Sequence, residues 1–339
     1  MGTKAKIAAA LAMPVLSAAL VGGFLRATHH DAIPQMVLPT AAHARITTSH
    51  GSPVAVAPGP CLGDIPAHFV GIAVKKQPAL RVLDYQKKFG TKPRIVEFYN
   101  PFTHAFNAPE ANQALESGQV PLIQLNPWRV KEQQIAAGVW DRHLRNYARA
   151  VKIFGCAIIL SFGHEMNGWW YPWGAPRTSP ADFIAAWRHI HDIFARQGVT
   201  NVIWSWDPSH QYGEPAPGKV GTLASDWYPG DNYVDWIGLD GYFGSDRNGH
   251  TQNFKEIFGT QLNDIRRIAP HKLVYLAETG VAPGRNAPAQ VAELFSGAAA
   301  YHMAGLVWFD AISSRHDYRL GVHRDEDAVY LKSATSFLR

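Results

Sequence analysis

Two glutamates stand where chain chemistry could be done. Glu165 lies in the run Phe162-Gly163-His164-Glu165-Met166-Asn167-Gly168-Trp169-Trp170-Tyr171-Pro172-Trp173, directly after an apolar stretch, Cys156-Ala157-Ile158-Ile159-Leu160. The apolar stretch reads as a buried strand, so the carboxyl sits just past a strand end, with four aromatics in the residues that follow. Glu278 ends a second apolar stretch in the same way. Cleaving a bond between two sugars needs one carboxylic acid to protonate the leaving oxygen and a second carboxylate across the ring. Aromatic planes give the sugar an apolar surface to lie on. Further acids at strand ends, Glu97, Asp207, Asp240 and Asp310, are the runners-up for these roles. Asp207 and Asp310 could instead bind hydroxyls or hold a hydrogen-bond network.

The elements that must carry these residues are short apolar runs alternating with longer amphipathic segments from residue 68 onward, the βαβα pattern of a parallel sheet. Strands are expected over 69–74, 94–99, 120–126, 157–162, 201–206, 235–240, 272–278 and 305–310. Helices are expected over 79–89, 141–154, 180–197, 254–268, 288–301 and 326–338, with Ser179-Pro180 and Asp182 marking one helix start. Eight such units predict a (β/α)8 TIM barrel, whose active sites form at the C-terminal strand ends. Those ends here are polar and aromatic, including Tyr99-Asn100, Asn126-Pro127-Trp128, Asp240-Gly241-Tyr242 and Trp308-Phe309-Asp310. A doubly wound sheet is disfavoured because no Gly-rich phosphate loop follows the first strand.

The Phe162–Trp173 run closely resembles the HEMNGxWYPW signature of glycoside hydrolase family 26, a family of retaining clan A barrels that are mostly β-mannanases. Ala185-Ala186-Trp187-Arg188-His189, Asn201–Trp206 and Val234–Tyr242 are similar to the family's later segments, so the resemblance runs from about residue 68 to the C-terminus. It implies Glu165 as acid/base and Glu278 as nucleophile, about 5–5.5 Å apart for direct attack on the anomeric carbon. It implies Trp170 as the stacking tryptophan beside the cleaved bond and Trp308 as the aromatic floor. His164 is expected to bind the sugar or orient a carboxylate, Asp240 to support the reacting sugar, and Tyr242 to hydrogen-bond the nucleophile. Trp128, Trp206, Trp173 and Trp227 are candidates for outer subsites, and Asn167 is expected to shape its loop. One departure stands out: many members carry Arg three residues before the signature His, where this chain has Ser161.

The implied activity is endo-acting hydrolysis of β-1,4-mannan by double displacement. Mixed-linkage or β-1,4-glucan and β-1,3-xylan are the alternatives. A catalytically inactive polysaccharide-binding barrel and a polysaccharide lyase are the other classes, against which two glutamates at strand ends weigh.

Composition agrees with a large globular body. The 339 residues are 47% hydrophobic and 17% charged, and 11 Trp and 12 Tyr would furnish a carbohydrate cleft. A net charge of +5 without any long basic run argues against nucleic acid, leaving a polysaccharide as the expected partner and a monomer as the expected state. Sixteen histidines show no HExxH or Cys/His cluster, so neither metal nor cofactor is expected. Lys4 and Lys6 precede an uncharged apolar run, 7–25, which reads as a signal peptide or an uncleaved signal anchor that would tether the protein to a membrane. Residues 1–27 are therefore assigned to export, 28–66 to a flexible linker rich in Pro, Ala and His, and 67–339 to the catalytic domain. Cys61 and Cys156 would both lie at the bottom of the barrel, either disulfide-bonded or as two thiols.

Overall fold

The computed structural model describes Cys61, Ile65 and residues 68–210, 223–244 and 250–339. The export segment, and the linker apart from Cys61 and Ile65, lie outside the described residues. Eight parallel strands close into a barrel in chain order: β1 (Phe69–Ala73), β2 (Ile95–Pro101), β3 (Val120–Asn126), β4 (Ile158–Phe162), β5 (Val202–Trp206), β6 (Trp236–Phe243), β7 (Leu273–Val281) and β8 (Gly305–Phe309). Around them run α1 (Pro78–Phe89), α2 (Ala108–Glu116), α3 (Glu132–Ala136), α4 (Asp141–Phe154), α5 (Pro180–Arg196), α6 (Phe254–Ile268), α7 (Ala287–Ala300) and α8 (Arg324–Phe337). This is the expected (β/α)8 architecture, with β1 paired to β8 over Phe69–Ala73 to complete the ring.

Strand alternation divides each strand between two cores. Ile95 and Val120, Leu122 and Ile159, Tyr275 and Ala277, Val307 and Phe309 fill the inside of the barrel. Their chain neighbours, such as Val96, Ile123, Leu160, Leu276 and Trp308, face the helices. Parallel strands buried on both faces explain why the sequence shows continuous apolar runs rather than alternation.

Local chemistry sets the helix ends. Ser179 accepts from the Asp182 N–H ahead of Pro180, and Asn253 forms a reciprocal capping box with Glu256. Gly90 and Gly155 close α1 and α4 in the left-handed conformation. The short α2, absent from the expected helices, starts at Asn107, which accepts from Glu110 N–H, and buries only Ala111 and Ala114. Two buried alanines in nine residues leave little apolar periodicity to read.

Two irregularities bear on the mouth. The β6–β7 register shifts between Gly238 and Asp240, and the β7–β8 register shifts between Leu276 and Thr279. Such bulges re-aim the side chains beside them. At the opposite end, Cys61 and Cys156 form a disulfide, fastening the segment before β1 to the approach of β4.

Candidate active site

The end of β4 does not run on as a strand. Gly163 (φ 58°) and Glu165 (φ 54°) both take left-handed backbone, the second at a cost of about 1–2 kcal/mol for a residue with a Cβ. A dense set of hydrogen bonds holds this turn. Glu165 N–H donates to Asp207 O (2.7 Å), Gly168 N–H to Glu165 O (2.9 Å), and the Trp173 indole to His164 O (2.7 Å). Asn167 clasps the neighbouring loop twice: its Nδ2 donates to Ser209 O and its Oδ1 accepts from Ser209 N–H, each at 2.8 Å. Asn167 shapes the loop, as expected. Glu165 is thereby aimed into a cleft of about 1150 Å³, where it meets Glu278 from β7.

Glu278 reaches the cleft because of the bulge. Tyr275 and Ala277 point into the barrel, so strict alternation would turn residue 278 toward the helices. The shifted register pairs Glu278 with Asp240 instead, and its carboxyl emerges among the cleft residues. There each oxygen accepts from a tyrosine, Oε1 from Tyr242 of β6 and Oε2 from Tyr99 of β2. Tyr242 takes the place the resemblance implies. Tyr99, which the sequence marks only as part of a polar strand end, stands two residues beyond Glu97 and shares its face of β2. That parity was the available signal.

The two carboxyls sit in different fields. Burial, then the Glu278 charge, pushes Glu165 up to about 8; the Trp170 indole N–H, which donates to Oε2 at 2.5 Å, and Ser209 pull it back. Burial raises Glu278 too, but the two phenols and the Lys75 ammonium act in the opposite direction. Two carboxyls facing one cavity, one pushed up by burial and its partner's charge and the other anchored by donors that favour its anion, can protonate a leaving oxygen and attack from the opposite side.

Beneath them lies a layer of buried acids. Glu97 and Asp240 are fully buried, and none of their carboxyl oxygens has a hydrogen-bond partner of normal geometry. Burial, and then the neighbouring carboxylates, drive both well above the usual carboxylate range. Asp207 is better satisfied, accepting from Gln124 Nε2 (2.9 Å) and Ser205 Oγ (2.5 Å). Gly238 makes room for it, since a Cβ there would fall 2.2 Å from Asp207 Oδ1. Burial raises the Asp207 carboxyl; Ser205, Ser161 and Gln124 act in the opposite direction, Ser161 without a hydrogen bond of normal geometry. Asp310 receives Arg81 (2.5 and 2.9 Å) and the Leu320 N–H (2.8 Å), so it holds the β8 end to α1.

The remaining candidates divide cleanly. Trp128, Trp170 and Tyr242 line the cleft. His164 does not: buried behind Tyr171, it spans Asn126 Oδ1 (3.0 Å) and the Tyr171 hydroxyl (3.3 Å), and burial pulls it down to about 3, leaving a neutral ring. Asp240 lies below the floor. Trp308 is turned outward, its indole donating to Tyr318 O (2.7 Å) and its ring edge-on to Tyr330. Its neighbour Phe309 lines the cleft in its stead. Trp206 is buried against Tyr228 on the helix side, and Trp173 and Trp227 are fully buried. Trp206 and Trp308 have the wrong parity to meet a ligand. The cleft residues not anticipated include Lys75, Trp169, Tyr171, Arg285, Arg315 and Tyr318, of which Trp169 is 53% exposed.

A family model described as glycosyl hydrolase family 26 matches residues 131–305, just over half of the chain. Endoglucanase H of Acetivibrio thermocellus is 29% identical over 275 residues, covering 77% of this chain and 30% of that protein. A mannan endo-1,4-beta-mannosidase (A and B) of Caldalkalibacillus mannanilyticus is 32% identical over 95 residues, covering 26% of this chain and 17% of its own length. The chain thus spans less than a third of each of these relatives. Among solved structures, a β-mannanase from Bacteroides ovatus superposes with a TM-score of 0.56 at 20% identity, over 75% of this chain and 83% of that one. At that identity the likeness concerns the fold.

Proposed function

The chain belongs to glycosyl hydrolase family 26, and from that premise we propose that it is an endo-acting retaining β-glycanase with Glu165 as acid/base and Glu278 as nucleophile. The observation that carries the reading is the unequal treatment of the two carboxyls. Glu165 is held protonated near neutrality while Glu278 is gripped by two phenols and drawn toward its anion by Lys75. In the first step Glu278 attacks the anomeric carbon as Glu165 protonates the departing oxygen; in the second, water enters as Glu165 takes a proton back. Tyr99 and Tyr242 donate to the two oxygens of Glu278, oppose the rise that burial causes and keep the carboxyl pointed. Trp170 both lines the cleft and orients Glu165 through its indole.

β-1,4-Mannan is the substrate first proposed, supported by relatives named as mannan endo-1,4-beta-mannosidases. A second reading, β-glucan, is supported by the wider reach of the match to Endoglucanase H. We propose that the protein is exported, secreted or periplasmic, and acts as a monomer on polysaccharide, with residues 7–25 as signal or tether. The test is reducing-sugar release from glucomannan, galactomannan, barley β-glucan and β-1,3-xylan by the protein and by Glu165→Ala and Glu278→Ala. Loss of either carboxyl is expected to lower kcat/KM on the preferred polymer by roughly 10²–10⁴-fold or more. Binding without cleavage of any polymer would replace the enzyme by a binding barrel.

A further inference from the structure

The two walls of the cleft differ in kind. Loops after β3 and β4 contribute Trp128, Trp169, Trp170 and Tyr171, an uncharged aromatic wall in which Trp128 and Trp169 are 45% and 53% exposed. The opposite wall is built after β7, β8 and β1, which are adjacent in the closed ring, and it presents Arg285, Arg315 and Lys75. All three are exposed. Among the described lining residues the only acids are Glu165 and Glu278, at the centre.

These cations have no structural employment as ion-pair partners among the described residues. Neighbouring guanidinium groups do: Arg319 is tied to Asp317 at 2.7 Å and Arg81 to Asp310 at 2.5 Å. Arg315, four residues before Arg319, is not tied in this way. Lys75 is positioned instead, its ammonium donating to Ile312 O (2.9 Å) and lying 5.2 Å from the centre of the Phe309 ring. A cleft walled by one sign of charge concentrates that field and draws in ligands of the opposite sign. Guanidinium forks match carboxylates in particular. A neutral sugar chain offers hydroxyls, for which amides and carboxylates are the better partners.

We propose that the cleft accepts a β-linked polysaccharide bearing carboxylate groups, as uronic sugars or acid substituents, with the acidic groups along Arg285, Arg315 and Lys75 and the uncharged sugar faces on the aromatic wall. The proposal rests on the glycanase reading for the placement of the sugar chain and names the substrate class of that same cleft.

The test compares carboxymethylated and unmodified samples of the same backbone, glucomannan and barley β-glucan each. Binding is measured by affinity electrophoresis of the Glu165→Gln protein, with and without Arg285→Gln/Arg315→Gln, and hydrolysis by the parent protein. At about 20 mM NaCl the carboxymethylated polymer is expected to bind roughly fivefold more tightly than the unmodified one, and the preference to vanish near 500 mM. In the double arginine variant the ratio should fall toward one. Because the readout is a ratio between two polymers on one protein, a general loss of folding moves both and leaves it unchanged. Equal or weaker binding of the acidic polymer by the parent overturns the proposal, as does a preference that survives the double substitution. If neither these polymers nor galactomannan and β-1,3-xylan are hydrolysed, the glycanase reading fails, and the binding ratio still decides the present one.

Discussion

Glu165 and Glu278 have the same side chain, and their difference is made by what touches them. Glu165 faces an indole N–H and the negative charge of its partner, inside a buried turn. Glu278 faces two phenols and an ammonium. A general acid must be protonated to work, so kcat/KM is expected to fall as pH rises through about 8, where Glu165 loses its proton. The Trp170 donor stabilises the Glu165 anion. Trp170→Phe should therefore shift that alkaline limb to higher pH while keeping most of the aromatic surface. A full pH profile of both proteins on one soluble polysaccharide checks this, and a limb that stays in place or moves downward would remove the indole from the account.

The turn after β4 is held in left-handed backbone by its tie to the loop after β5. Asn167 and Ser209 exchange two buried hydrogen bonds, and Glu165 N–H donates to Asp207 O in the same seam. Asn167→Ala removes one partner from each bond and leaves the Ser209 backbone groups without it, which should cost roughly 2 kcal/mol. Thermal or urea unfolding gives that figure directly. Activity should fall more than stability suggests, because the turn that aims Glu165 loses its clasp. A variant as active as the parent would mean that the turn keeps its shape without Asn167.

The barrel as a whole carries its chemistry at one end and its covalent tie at the other. The Cys61–Cys156 disulfide spans 95 residues of sequence, and restricting a loop of that length in the unfolded chain stabilises by at most about 4.7 kcal/mol in the chain-entropy model. Cys156→Ser should lower the unfolding temperature by several degrees or more while leaving KM for polysaccharide within about twofold, since neither sulfur lies near the cleft. Calorimetry with parallel kinetics tests both halves. A large change in KM would mean that the bottom of the barrel communicates with the mouth.

Much of this molecule could be read without coordinates because the informative patterns are local. Apolar runs alternating with amphipathic ones specify eight strand–helix units, and the Phe162–Trp173 signature picks out Glu165 within one of them. Glu278 follows from its strand end and the family resemblance. Burial gives Trp206 and Trp308 the same apolar signature whether they face helices or ligand, so parity, and not residue type, separates Trp308 from Phe309. Parity in turn depends on bulges at Gly238/Asp240 and Leu276/Thr279, which are set by how neighbouring strands pair around the ring. Tyr99 and Tyr242 meet on Glu278 from positions 179 and 36 residues away, and the three cations gather on one wall from three separate loops. Such convergence depends on closure of the barrel: an order of side chains along a chain becomes an arrangement around a cavity only when β8 pairs with β1.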